Sequence, residues 1–111
     1  MTRTLLVFGA TAALAACGPI HPRWKNETDH RIVVTYVHGN HAYNAAIRPG
    51  QTQTPFSLID FAEVESISIE EGNKRRIFDK QVVSMMHEEC GHGYACTVNY
   101  QGEGRLLVKG S

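Results

Sequence analysis

From residue 31 onward the chain runs as short apolar stretches broken by turn signals roughly every 8–12 residues, a rhythm of strands. Arg31–Val37 (RIVVTYV) is rich in β-branched residues with apolar groups on both faces, the pattern of a central strand. Tyr43, Ala45 and Ile47 alternate and lead into Arg48-Pro49-Gly50-Gln51. There Pro presets φ at the first central position of a type II turn and Gly accepts positive φ at the second. Thr52, Thr54 and Phe56 then read as the returning strand. Val64–Glu71 (VESISIEE) alternates again, Gly72-Asn73 interrupts it, and Lys74–Phe78 (KRRIF) returns. In Asp79–Glu89 the period changes: Val82, Val83 and Met86 share a helical face and Asp79 stands at the N-cap position. Ala95–Gln101 and Arg105–Lys109 form a last hairpin across Gly102-Glu103-Gly104. The pattern predicts an all-β fold, a small antiparallel β-sandwich or barrel of six to seven strands with one short helix near residues 79–89.

The hairpin at Gly72-Asn73 carries a register choice. A two-residue loop sets Ile69 opposite Arg76, with a charge beside the core. A three-residue loop sets Ile69 opposite Ile77 and the acidic run opposite the basic one, so the odd-length loop is expected. The resulting architecture is similar to small immunoglobulin-like envelope β-sandwich modules, a likeness of fold that implies no activity.

The first sixteen residues do not belong to this fold. Met1-Thr2-Arg3-Thr4 is a short positive start, Leu5–Leu14 is mostly apolar, and Ala15-Ala16 are small, the layout of a secretory signal peptide. Leu14-Ala15-Ala16-Cys17 resembles the lipobox of bacterial lipoproteins. That resemblance implies cleavage before Cys17, acylation of its thiol (palmitate among the chains), and a lipid anchor as the membrane contact. Two or more acyl chains hold a protein on a bilayer where one binds only reversibly. In that family Asp after the Cys tends to retain the protein at the inner membrane. Gly18 stands there, so the expected location is the outer membrane, facing the periplasm. The segments expected are a signal peptide over 1–16, a lipidated tether over 17–28 containing two prolines and Trp24, and a β-sandwich domain over 29–111. Trp24 either docks on the domain or sits at the headgroup level.

The chain has 111 residues with 11 basic and 11 acidic, and no net charge, so an electrostatic nucleic-acid binder is not expected. Of its three cysteines, Cys17 is assigned to lipid. Cys90 and Cys96 remain, with five residues between them, two of them glycines, in a compartment that oxidises thiols. A disulfide between them would tie the helix end to the next strand. The rival is a metal site: Met85, Met86, His87, Cys90, His92 and Cys96 bring thioether, thiolate and imidazole together, which suits Cu(I) or Zn, with His87 and His92 as ligands. His38 and His41 flank Gly39-Asn40 and read as turn residues. No catalytic residue and no cofactor beyond the covalent lipid are expected: no nucleophile elbow, phosphate loop or Ser/His/Asp set is evident, and Asp60, Glu63 and Glu65 read as a solvated face. Lys74-Arg75-Arg76 follows an acidic stretch, which predicts cross-strand pairing.

These readings converge on a non-enzymatic, lipid-anchored cell-envelope protein that binds or supports another envelope component, a protein or peptidoglycan being the expected partner. A metal-binding envelope lipoprotein is the alternative, and an inhibitor of a secreted enzyme the second.

Overall fold

The computed structural model describes residues 19–91 and 96–110. The signal segment, the Leu14–Cys17 motif, Gly18 and His92 lie outside those residues. The described chain forms β1 (Arg23–Asn26), β2 (Ile32–His38), β3 (His41–Ile47), β4 (Thr52–Gln53), a 3-10 turn at Phe61–Glu63, β5 (Ser66–Glu71), β6 (Lys74–Phe78), α1 (Lys80–Cys90), β7 (Thr97–Gly102) and β8 (Arg105–Lys109). One sheet has the order β4-β1-β7-β8 and the other β3-β2-β5-β6. All neighbours are antiparallel except β1 and β7, which run parallel. The expected sandwich with one short helix is the architecture found.

β2 lies between β3 and β5, as its two-sided apolar pattern predicts, and buries Ile32, Val34 and Tyr36 between the sheets. Ile67 and Ile69 of β5, Val98 and Tyr100 of β7, and Phe61 and Val64 join them. Val83, Met86 and Cys90 of α1 close the core, spaced as one helical face. Asp79 caps α1 by accepting from the Val82 N–H at 3.1 Å, and Gly91 ends it at φ 65°.

Three expectations are corrected. The tether assigned to residues 17–28 is too long: Arg23–Asn26 is an inner strand, and Ile20 already packs in the core. Trp24 is 0% exposed, its ring edge-on to Tyr36, and its indole N–H donates to the Tyr36 hydroxyl at 2.7 Å across the two sheets. Docking on the domain is therefore what Trp24 does. Local pattern missed this strand because one of its two inward residues is Asn26, which enters the core only because tertiary partners bond every polar group it carries.

Second, Arg48–Gln51 makes the expected turn, with Gly50 at φ 74° and the Gln51 N–H donating to Arg48 O, but no hairpin follows. β4 crosses to the other sheet and pairs with β1, held by Gly50 N–H to Asn26 O and Asn26 N–H to Gln51 O. Third, the β5–β6 loop has two residues, not three. Ile69 faces Arg76, and Ile67 faces Phe78. Gly72 takes φ 63° while Asn73 stays at negative φ, the pattern of a two-residue type II′ turn. Phe78, not Ile77, supplies the inward apolar group, and Ile77 is left 67% exposed. Arg76 is accommodated because its stem lies over the β7–β8 turn: a Cβ on Gly104 would sit 3.4 Å from Arg76 Cδ.

Candidate functional site

The cysteines come first. Cys90 at the end of α1 and Cys96 just before β7 form a disulfide with Cα atoms 5.1 Å apart. Both are buried, and the Cys96 carbonyl accepts from Arg23 N–H at 2.8 Å, so the bridge joins the helix to the β1–β7 pair. Two thiolates are thereby consumed. His87 stacks on the buried Phe61 ring, centroids 6.2 Å apart, beside a shallow recess of about 200 Å³ that Lys80 and Glu88 also line. Among the described residues no three His, Cys, Asp or Glu side chains converge as a metal set. His38 and His41 close the Gly39-Asn40 turn as a cross-strand pair.

The acidic groups are largely absorbed by the fold. Asp60 caps the 3-10 turn through Ala62 N–H at 3.0 Å. Glu63 meets His38 Nε2 at 3.2 Å, and Glu65 accepts from Gly39 N–H at 3.1 Å, so two of the three carboxylates read as a solvated face brace the β2–β3 turn. Lys80 donates to Ala62 O and Val64 O at 3.0 and 2.9 Å, which fixes the same linker from the helix.

Glu71 holds the largest polar cluster, at one end of the sandwich. Its carboxylate accepts from the Tyr100 hydroxyl at 2.5 Å and from Glu103 N–H at 3.0 Å, and it meets His30 Nε2 at 2.9 Å. His30 Nδ1 lies 3.0 Å from Asp29, and the Tyr100 hydroxyl accepts in turn from Gly104 N–H at 3.0 Å. These bonds hold the Glu71 carboxyl below its ordinary value, the Tyr100 bond most of all. The bond to Glu71 foremost, then that to Asp29, raises His30. Burial, followed by the same carboxylate, pushes Tyr100 up. No sequence signal points to this cluster, because its members lie 41 and 29 residues apart along the chain.

The basic run behaves differently. Glu71 sits opposite Lys74 and Glu70 opposite Arg75 in the ladder, yet among the described residues no acid lies within ion-pair distance of Lys74, Arg75 or Arg76. The expected cross-strand ion pairs are not made; Glu71 turns toward β7 and His30 instead. β6 is an edge strand on which Lys74 and Arg75 are exposed, while Arg76 is half-buried with its stem over Gly104. Lys74 also lines a recess of about 330 Å³ with His30, Glu71 and Glu103. No protein-family model, curated protein or solved structure matches this chain.

Proposed function

We propose that this protein is a non-catalytic domain, lipid-anchored through Cys17 at the periplasmic face of a bacterial outer membrane, that uses its β6 edge to hold an acidic component of the envelope. The observation that carries the reading is the asymmetry of its charges. The carboxylates of Asp60, Glu63, Glu65 and Glu71 each have a bonding partner in the fold, while Lys74, Arg75 and Arg76 have no acid partner among the described residues. Lys74 and Arg75, exposed on an open strand, favour an anionic surface and steer its approach.

The short lead-in supports a role close to the bilayer. Ile20 is packed in the core and accepts from Phe61 N–H at 3.3 Å. An acylated Cys17 therefore lies at most ~11 Å of chain from the folded domain. A partner of such a domain sits within one protein diameter of the membrane.

The test uses the full chain in its native membranes. Cys17→Ser should release the protein from the membrane fraction or block its processing. Lys74→Gln/Arg75→Gln/Arg76→Gln should keep the protein on the membrane while the component cross-linked to the native chain is lost. Retention of that component by the triple variant overturns the β6 assignment, and lipid-bearing, membrane-bound Cys17→Ser overturns the anchor.

A further inference from the structure

The sandwich has four edge strands, and three of them resist pairing with another chain. β4 has two residues, β6 carries Lys74, Arg75 and Arg76, and β8 carries Arg105 and Lys109. Short length and edge charge are the usual devices against edge-to-edge association. β3 has neither. It is seven residues long, reads HAYNAAI, contains no Lys, Arg, Asp, Glu or Pro, and pairs with β2 without a register break.

The two-residue turn at Gly39-Asn40 makes His38 and His41 a hydrogen-bonded pair, as are Tyr36 with Tyr43 and Val34 with Ala45. The main-chain groups of Ala42, Asn44 and Ala46 then point away from β2. Ala46 O is already taken by Gln53 Nε2 at 3.3 Å. Ala42 and Asn44 each keep a main-chain N–H and C=O without a partner among the described residues.

We propose that β3 pairs antiparallel with β3 of a second copy of this chain, about a two-fold axis through Tyr43. In that register Ala42 of each copy faces Asn44 of the other. The four main-chain hydrogen bonds formed use those two residues and leave the Gln53 bond intact. Centring on Asn44 would require Ala46 and displace Gln53. The strand is uncharged, so a copy of itself meets no like charge, whereas a charged partner strand would gain nothing here.

The side chains favour the same axis. Tyr43 becomes a non-hydrogen-bonded pair with its own counterpart, the arrangement that brings side chains closest. Beside it lies an apolar rim of Pro55, Phe56, Leu58 and Ile59 around a recess of about 220 Å³, with Leu58 99% exposed. A second copy sets two such rims together across the axis. The two four-stranded sheets join as one, and the basic β6 edges lie at its far ends, clear of the contact.

Sedimentation of the full chain in detergent and site-directed cross-linking in the intact envelope test this. Non-hydrogen-bonded antiparallel pairs hold Cα atoms ~4.5 Å apart, within disulfide range. Tyr43→Cys should therefore give a covalent dimer on oxidation, while Ile77→Cys, more exposed but on the opposite edge strand, should not. Tyr43→Glu sets like charges across the axis and should weaken the dimer at least about tenfold. Asn44→Pro, which removes an outward N–H on an edge where Pro is tolerated, should do the same. A native chain that stays monomeric, equal cross-linking at positions 43 and 77, or a dimer indifferent to both breaking variants overturns the proposal.

Discussion

Asn26 is the residue whose replacement tests most of the fold. It is 0% exposed on β1. Its Nδ2 donates to His30 O at 2.8 Å and to Ile47 O at 2.9 Å, while Oδ1 accepts from Thr28 N–H at 2.9 Å. One side chain thus satisfies three main-chain groups and ties the β1–β2 connection to the end of β3. Asn26→Ala removes all of these bonds, together with the one from the Thr28 hydroxyl to Oδ1 at 2.6 Å, and uncouples the β1–β2 connection from the end of β3. At about 1 kcal/mol per bond, with the half-buried groups partly rehydrated, the loss is about 2–3 kcal/mol. For a domain of this size that lowers Tm by about 10–20 °C. Asn26→Asp keeps the acceptor and loses both donors, so it should not rescue. The chain's single Trp is Trp24, buried two residues away, so urea unfolding followed by its fluorescence reads the change directly. A loss below about 0.5 kcal/mol would mean that residues 23–28 are a loose lead-in after all, and the β1 assignment would fall.

Replacing Cys90 and Cys96 by Ala should cost about 2.4 kcal/mol from the loop-closure term alone, measured by the same urea titration; intact mass of the native protein should show no free thiol at either position. The His30–Glu71 pair makes stability depend on pH in two directions. Glu71, lowered from 4.5, contributes fully above that value and loses its contribution as pH falls through its folded pKa. His30, raised from 6.5, contributes fully below that value and loses its contribution as pH rises through its folded pKa. The urea midpoint should therefore be highest between about pH 4.5 and 6.5, and Glu71→Gln should flatten both flanks. Gly110→Ala should destabilise the β8 end, because its Cβ would lie 2.8 Å from Glu89 O and 3.0 Å from Cys90 O; hydrogen exchange in β8 and the last turn of α1 should rise while β2 is unchanged.

What was legible along the chain was local. Asp79 with the Val82, Val83, Met86 spacing marks the helix start, and β2 is readable as central because both its faces are apolar. The turns at Arg48–Gln51 and Gly102–Gly104 follow from the conformations that Pro and Gly favour. What could not be read was which distant group each element meets. The Arg48–Gln51 turn is the same object whether the chain returns to β3 or crosses to β1. The Asn26 main chain, bonding Gly50 and Gln51, decides it. Gly72-Asn73 supports loops of two or three residues, and matching isoleucines favoured three. The observed register keeps the two-residue turn because Phe78 fills the inward place and the Arg76 stem finds the Gly104 turn. Both facts are tertiary.

The zero net charge conceals a polarity that only the fold separates. Eleven bases and eleven acids cancel in sequence, and adjacent runs of opposite sign look self-neutralising. Neutralisation needs geometry, however, and in the β5–β6 hairpin the geometry goes elsewhere. Glu71 turns across the sandwich to Tyr100 and the Glu103 N–H, bonds that a carboxylate makes with fixed donors at little cost in side-chain freedom. A long Lys or Arg stem brought across the strand to the same carboxylate would lose more rotamer entropy for an exposed pair of small value. In this hairpin Glu71 therefore goes into structure, while Lys74 and Arg75 stay exposed at the edge. A contact made by those cations must weaken with salt, because exposed charges are screened beyond ~10 Å at 0.1 M ionic strength. A contact made through the uncharged β3 edge must not. Salt thus separates the two sides of one small domain whose overall charge suggests neither.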